Sequence, residues 1–182
     1  MKKRLLLHSC CGPCSTTVIN RLKEDYDVTI FYYNPNIYPE EEYSHRLAEQ
    51  TRYVRESGVP VIVIDGTYSD SEMFLSKYQG LENEKEGGAR CNVCFALRLD
   101  KTAKTAKEGN FDLFTTTLTV SPHKNAKLIN EIGEAMSAKY GVEYLPSDFK
   151  KQDGYLNSIK ISKEYNLYRQ NYCGCKYSIY KN

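Results

Sequence analysis

The chain has 182 residues, 41% hydrophobic and 26% charged, a balance that fits one globular domain with a sizeable core spanning residues 1–182. Its net charge of +2, from 25 Lys and Arg against 23 Asp and Glu, excludes a strongly cationic, histone-like binder but leaves room for a local basic patch. The start, Met1 to Arg4, precedes only a short apolar run at Leu5 to Leu7, too short for a secretory segment, and no stretch approaches a membrane span. A cytoplasmic protein with reduced thiols is therefore expected, with no membrane partner.

In chain order, Lys3 to His8 reads as a strand and Pro13 opens a helix to about Glu24. Asp27 to Tyr33 is β-branched and aromatic, a second strand, followed by a turn-rich loop from Asn34 to Pro39. Tyr43, Leu47 and Val54 keep helical spacing over Glu40 to Glu56, with Gly58 as the stop. Val59 to Ile64 is a largely apolar strand, of the sort buried on both faces of a parallel sheet. A helix near Ser71 to Tyr78 and a charged loop from Gly80 to Arg90 come next. Cys91 to Lys107 is helical, Phe111 to Thr117 a strand, Asn125 to Tyr140 a helix and Val142 to Leu145 the last strand. Asp153 to Tyr165 is a final helix before a cysteine-bearing tail. The alternation predicts an α/β fold: a doubly wound, mostly parallel sheet with right-handed crossovers.

The seven cysteines fall into three clusters: Cys10, Cys11 and Cys14; Cys91 and Cys94; Cys173 and Cys175. Thiols placed for packing would show no such grouping. Clusters this far apart in sequence act together only if the fold joins them, and together they offer soft ligands or a dithiol relay. The first cluster lies between the first strand and the first helix, where ligands sit in open α/β sheets and where a helix N-terminus favours thiolates. His8 is read as a satisfied core residue. The C-x-x-C of Cys91 and Cys94 completes a set of four thiolates, enough for a 4Fe–4S cluster or an all-cysteine zinc site, and spacing does not choose between these. In Cys173-Gly-Cys175, Gly174 eases the bend that a disulfide between such close neighbours needs. A strained ring is readily reduced, so a redox pair is expected, with further metal ligands as the competing reading.

With the cysteines placed, the chain resembles the QueH family of epoxyqueuosine reductases. The matching blocks are Leu7 to Ser15, Phe31 to Ile37, Glu42 and Tyr43 with Arg46, Arg90 to Cys94, Arg98 with Leu99, Thr115 to Leu118 with Ser121 and Pro122, and Tyr168 to Cys175. The resemblance implies reduction of epoxyqueuosine to queuosine at the wobble position of a tRNA anticodon. It implies a Rossmann-like sheet of the HUP and PP-loop type, with cysteines where PP-loop proteins hold phosphate. It also implies a 4Fe–4S cluster on Cys10, Cys11, Cys91 and Cys94, a redox-active pair at Cys173 and Cys175, and an additional iron beside the cluster, with Cys14 as the spare thiol.

Opening an epoxide to an alkene needs two electrons and protons that carry the oxygen away as water. No side chain supplies low-potential electrons, so a metal centre and an external electron donor are expected. A general acid is needed too, and the sequence singles out none among Asp112, Asp148 and the tyrosines. Tyr165, Tyr168, Tyr172, Tyr177 and Tyr180 stand in the tail beside Lys163, Arg169, Lys176 and Lys181, which suits either an anticodon-loop surface or tyrosines buried with lysines in solvent. Lys101, Lys104 and Lys107 read as a solvated helix face. Two rival functions are a zinc-stabilised tRNA-binding protein and a tRNA-thiolating protein. The first leaves the Cys-Gly-Cys pair without a role, and the second lacks a glycine-rich phosphate loop.

Overall fold

The computed structural model describes residues 1–179, so Tyr180 and Lys181 of the expected tail cluster lie outside the described residues. Five parallel strands form one sheet in the order β3-β2-β1-β4-β5: β1 (Lys3–His8), β2 (Tyr26–Tyr32), β3 (Ile62–Asp65), β4 (Leu113–Thr116) and β5 (Glu143–Tyr144). Helices α1 (Gly12–Leu22), α2 (Glu40–Ser57), α3 (Ser71–Lys77), α4 (Ala89–Glu108), α5 (Ala126–Tyr140) and α6 (Gly154–Glu164) connect and cover them. None of these helices is long and apolar enough to cross a membrane.

Strand β1 explains the layering. Leu5 and Leu7 turn to one face, onto Val18, Ile19 and Leu22 of α1, while Leu6 turns to the other, onto Phe114 and Ala103 and Ala106 of α4. Side chains that alternate at a period of two, apolar on both faces, are what a central parallel strand requires. The chain builds outward from β1 to β2 and β3, then returns to place β4 on the other side of β1. The order therefore reverses between β1 and β4, and a crevice opens beyond their carboxyl ends, where ligands bind in doubly wound sheets.

The expected elements form close to their predicted bounds, and Gly58 caps α2 in the left-handed conformation at φ 63°. Strand β3 differs in its environment. It is an edge strand with β2 as its one neighbour, and Ile62 and Ile64 are 68% and 37% exposed instead of buried. Val59, Val61 and Val63 turn onto the core, so an apolar run that reads as two-faced is buried on one face.

Candidate metal and thiol site

All seven cysteines are free thiols at the carboxyl end of the sheet or on elements folded over it. Cys10 and Cys11 leave the end of β1. The backbone there is fixed by the Ser9 amide donating to Phe31 O at 3.0 Å and the Cys10 amide donating to Thr117 Oγ1 at 3.2 Å. Pro13 starts α1 at once, which puts Cys14 back over the same point, and the Cys10, Cys11 and Cys14 sulfurs lie within 4.8 Å of one another. Hydrogen bonds from Cys11 and Cys14 hold the Cys10 thiol well below its usual range, while contact with Cys10 raises the thiols of Cys11 and Cys14. Thr117 Oγ1 adds a hydrogen bond to the Cys10 sulfur at 3.4 Å.

Cys91 and Cys94 lie one turn apart at the start of α4, with Arg98 one further turn on, so all three share a helix face. The Gly87 amide donates to Cys91 Sγ at 3.1 Å. Burial still raises the Cys91 thiol. Cys10 and Cys91 pack against the same apolar group of Phe95, Leu99, Leu118 and Ile129.

The third pair sits on an extended strap. Helix α2 holds it with a polar stripe at helical spacing. Arg52 donates to Tyr165 O and Asn166 O at 3.1 Å each, and Glu49 Oε2 accepts the Tyr168 amide at 2.7 Å. Arg46, 2% exposed and paired with Glu42 at 2.6 Å, donates to Tyr172 O at 3.2 Å and Cys173 O at 3.3 Å. Gly174, at φ 106°, makes the bend between the two thiols, and a Cβ there would stand 2.8 Å from Ile37 Cγ1. Burial pushes the Cys175 thiol up to about 11.

Two cavities meet over these groups. The smaller, about 290 Å³, is lined by Cys91, Cys94, Cys173 and Cys175 with Asn36 and Tyr78. The larger, about 590 Å³, is lined by Cys10, Cys14, Lys124, Arg169 and Tyr172. Cys173, Arg98 and Lys124 line both, so the two cavities adjoin and between them border all three cysteine clusters.

Arg98 tests whether an anionic metal centre suits this crevice. It is 4% exposed and donates to Asn34 Oδ1 at 2.5 Å, His8 Nε2 at 3.3 Å and Cys94 Sγ at 3.9 Å. It forms no ion pair with a carboxylate among the described residues. A buried charge without a counter-ion is costly, and thiolates or a thiolate-held cluster supply the missing negative charge. Among the described residues the one group of three or more donors within 4.8 Å of one another is Cys10, Cys11 and Cys14, and soft thiols near a buried cation suit such a centre.

His8 is fully buried, 2.8 Å from Thr116 Oγ1 and 3.1 Å from Tyr33 O, a satisfied core residue whose ring is pushed down to about 3 by burial and by Arg98. Asp112 accepts the Arg4 amide at the opposite end of the sheet, and Asp148 pairs with Lys150 and Lys151, so neither is the acid of this crevice. The tail tyrosines are largely used internally: Tyr165 packs edge-on to Tyr53, His45 stacks on Tyr168 at 4.2 Å, and Tyr177 packs on Tyr78. Lys104 and Lys107 are solvated as expected, whereas Lys101 lies over the Tyr33 ring. The reading of single motifs passed over Tyr78 and the bracing roles of Arg46 and Arg98, whereas Asn36, at the end of the second strand, was already a candidate for substrate contact or for an Asx-turn. The signal for Arg98 was its place seven residues beyond Cys91 and four beyond Cys94, a spacing that keeps all three on one helix face.

Residues 5–181 match the family described as epoxyqueuosine reductase QueH. The epoxyqueuosine reductase QueH of Streptococcus pyogenes is 43% identical over 182 residues, covering 98% of this chain and 71% of the relative. That of Staphylococcus epidermidis is 44% identical, with 99% and 78% covered, and that of Thermotoga maritima is 35% identical, with 96% and 90% covered. With matches over nearly the whole chain, and the cysteine-lined crevice they coincide with, this protein belongs to the epoxyqueuosine reductase QueH family.

Proposed function

We propose that the protein is an oxidoreductase of tRNA modification that reduces the epoxide of epoxyqueuosine to the alkene of queuosine, with residues 1–182 acting as one cytoplasmic reductase domain. Cys10, Cys11, Cys91 and Cys94 hold a 4Fe–4S cluster, and Cys173 with Cys175 form the redox-active pair. The observation that carries this reading is the pair of adjoining cavities that between them border all three cysteine clusters, with Arg98 contacting Cys94 and lacking a carboxylate partner among the described residues.

The reaction takes up two electrons and two protons and releases the epoxide oxygen as water. Oxidation of the Cys173 and Cys175 thiols to a disulfide supplies that number of each, and an external electron donor restores the dithiol. A bound cluster supplies low-potential electrons one at a time and an iron able to act as a Lewis acid. The chain's own part is to keep Cys175 protonated by burial, to fix the strap with Arg46, and to balance charge with Arg98. The tRNA anticodon loop is the macromolecular partner. Lys124 and Arg169 at the larger cavity are placed for its phosphates, since neither forms an ion pair among the described residues and Arg169 meets only Ser162 Oγ at 3.4 Å.

A second ligand set, Cys10, Cys11 and Cys14, is favoured by the closeness of those three sulfurs. Iron content separates the two: Cys91→Ser loses iron under the first and Cys14→Ser under the second. The function is tested by anaerobic reconstitution and assay on epoxyqueuosine-bearing tRNA. Brown, iron-loaded protein that forms queuosine supports it, whereas a colourless zinc protein without reductase activity contradicts it.

A further inference from the structure

The smaller cavity collects buried polar atoms that the protein itself leaves unpaired. Five buried side-chain atoms lack a hydrogen-bond partner among the described residues, and three of them, Asn36 Oδ1, Tyr78 OH and Arg90 Nε, belong to residues lining this cavity. A fourth, Asp148 Oδ1, is 2.9 Å from Lys150 Nζ, so the clustering at the cavity is sharper than the count. Asn36 is 8% exposed and Tyr78 and Arg90 1% each, too deep for bulk water to satisfy them. Native proteins rarely leave such groups unpaired, and a concentration of them beside four thiols points to a polar ligand. A volume of about 290 Å³ is too small for a run of nucleotides.

The three groups differ in what they can pair with. An epoxide oxygen only accepts hydrogen bonds, so it needs a donor. Arg90 is pinned by the carbonyls of Leu81, Glu82 and Glu84 at 2.9 to 3.0 Å and lies over the Tyr177 ring. Tyr78 lines the cavity together with the four thiols, and its buried hydroxyl is a neutral donor. Asn36 Oδ1 only accepts and so fits a ring hydroxyl. We propose that the smaller cavity is the subsite for the epoxide-bearing ring, in which Tyr78 donates a hydrogen bond to the epoxide oxygen and Asn36 accepts one from a ring hydroxyl. The assignment rests on the reductase reading above. As the carbon–oxygen bond opens, charge builds on that oxygen, and a donor fixed in a buried site stabilises it most at that moment.

The test uses iron-loaded full-length Tyr78→Phe and Asn36→Ala with epoxyqueuosine-bearing tRNA. Tyr78→Phe should lower kcat roughly a hundredfold with KM little changed, the size of effect seen when one donor to a developing oxyanion is removed. Phe keeps the ring packing on Phe74 and Tyr177, so its Tm should stay near that of the parent. Asn36→Ala should raise KM about tenfold with kcat little changed, the signature of a binding contact. Iron content and visible spectrum should stay as in the parent for both. An unchanged kcat in Tyr78→Phe overturns the proposal and leaves ordered water as the occupant of the cavity. A loss of kcat accompanied by a changed iron spectrum also overturns it, because Tyr78 then acts through Cys94. An iron-loaded parent that forms no queuosine overturns the reductase reading instead.

Discussion

The thiols at the two ends of the chain are held by opposite means. Cys10 and Cys11 follow the central strand, and their backbone is fixed by groups of β2 and of the segment after β4. Cys173 and Cys175 lie outside the sheet on a strap whose place is set by side chains of α2 and by the Tyr38 amide donating to Gly174 O at 2.8 Å. The comparison teaches a division of labour. On the proposed reading, the cluster ligands sit where the sheet fixes the backbone, and the redox pair sits on a segment held by a few polar contacts.

Several substitutions break or sharpen this contrast. The largest effect is expected at the sheet end: Cys10→Ser should remove iron and lower reductase turnover roughly a thousandfold or more, as for a member of a catalytic unit, with both read on one anaerobic preparation. At the strap, Cys173→Ser should cut turnover by roughly a hundredfold, a catalytic-group loss, while iron content holds. Loss of iron there would turn the strap thiol into a ligand. Phe114→Ala, at a fully buried position under α4, should destabilise by about 3–5 kcal/mol in denaturant unfolding.

Arg46→Met, which frees two strap carbonyls and unpairs the part-buried Glu42, should lower the unfolding midpoint. It should lower turnover about tenfold, the cost of a modest misplacement of a reacting group, and speed amide exchange in residues 172–175. The smallest effect is a pH response. Arg52 holds the Glu49 carboxyl below the usual carboxylate range, and Glu49 accepts the Tyr168 amide. A lowered value in the folded state stabilises above the unfolded value of about 4.3 and loses that contribution as pH falls through the folded value. Protection of the Tyr168 amide should therefore fall on acidification through that window, and Glu49→Gln should already lack it near neutrality.

Much of this was legible in the residues. The alternation of strands and helices, Pro13 and Gly58 at helix ends, and the grouping of the cysteines are local signals, and they led to the sheet and to the crevice. The environment of β3 was not legible, because an apolar run does not say how many neighbours a strand has. Cys14 stood apart in the sequence reading, although a helix starting at Gly12 brings it back over Cys10 and Cys11. The tail tyrosines suited either a surface or a buried set, and burial against Tyr53, His45 and Tyr78, all far away in sequence, is what the fold provides. Arg46 and Arg98 were visible only as letters within motifs. Their roles depend on what they face, the strap carbonyls for one and the absence of a carboxylate for the other.

The most direct test of the account is iron and sulfide per chain in anaerobically reconstituted Cys91→Ser beside the parent. If the thiols of β1 and α4 hold one centre, this single change far from Cys10 in sequence removes the cluster and its visible absorption together. A Cys91→Ser protein that keeps the parent's iron, sulfide and spectrum would contradict the claim that the two clusters share a metal centre.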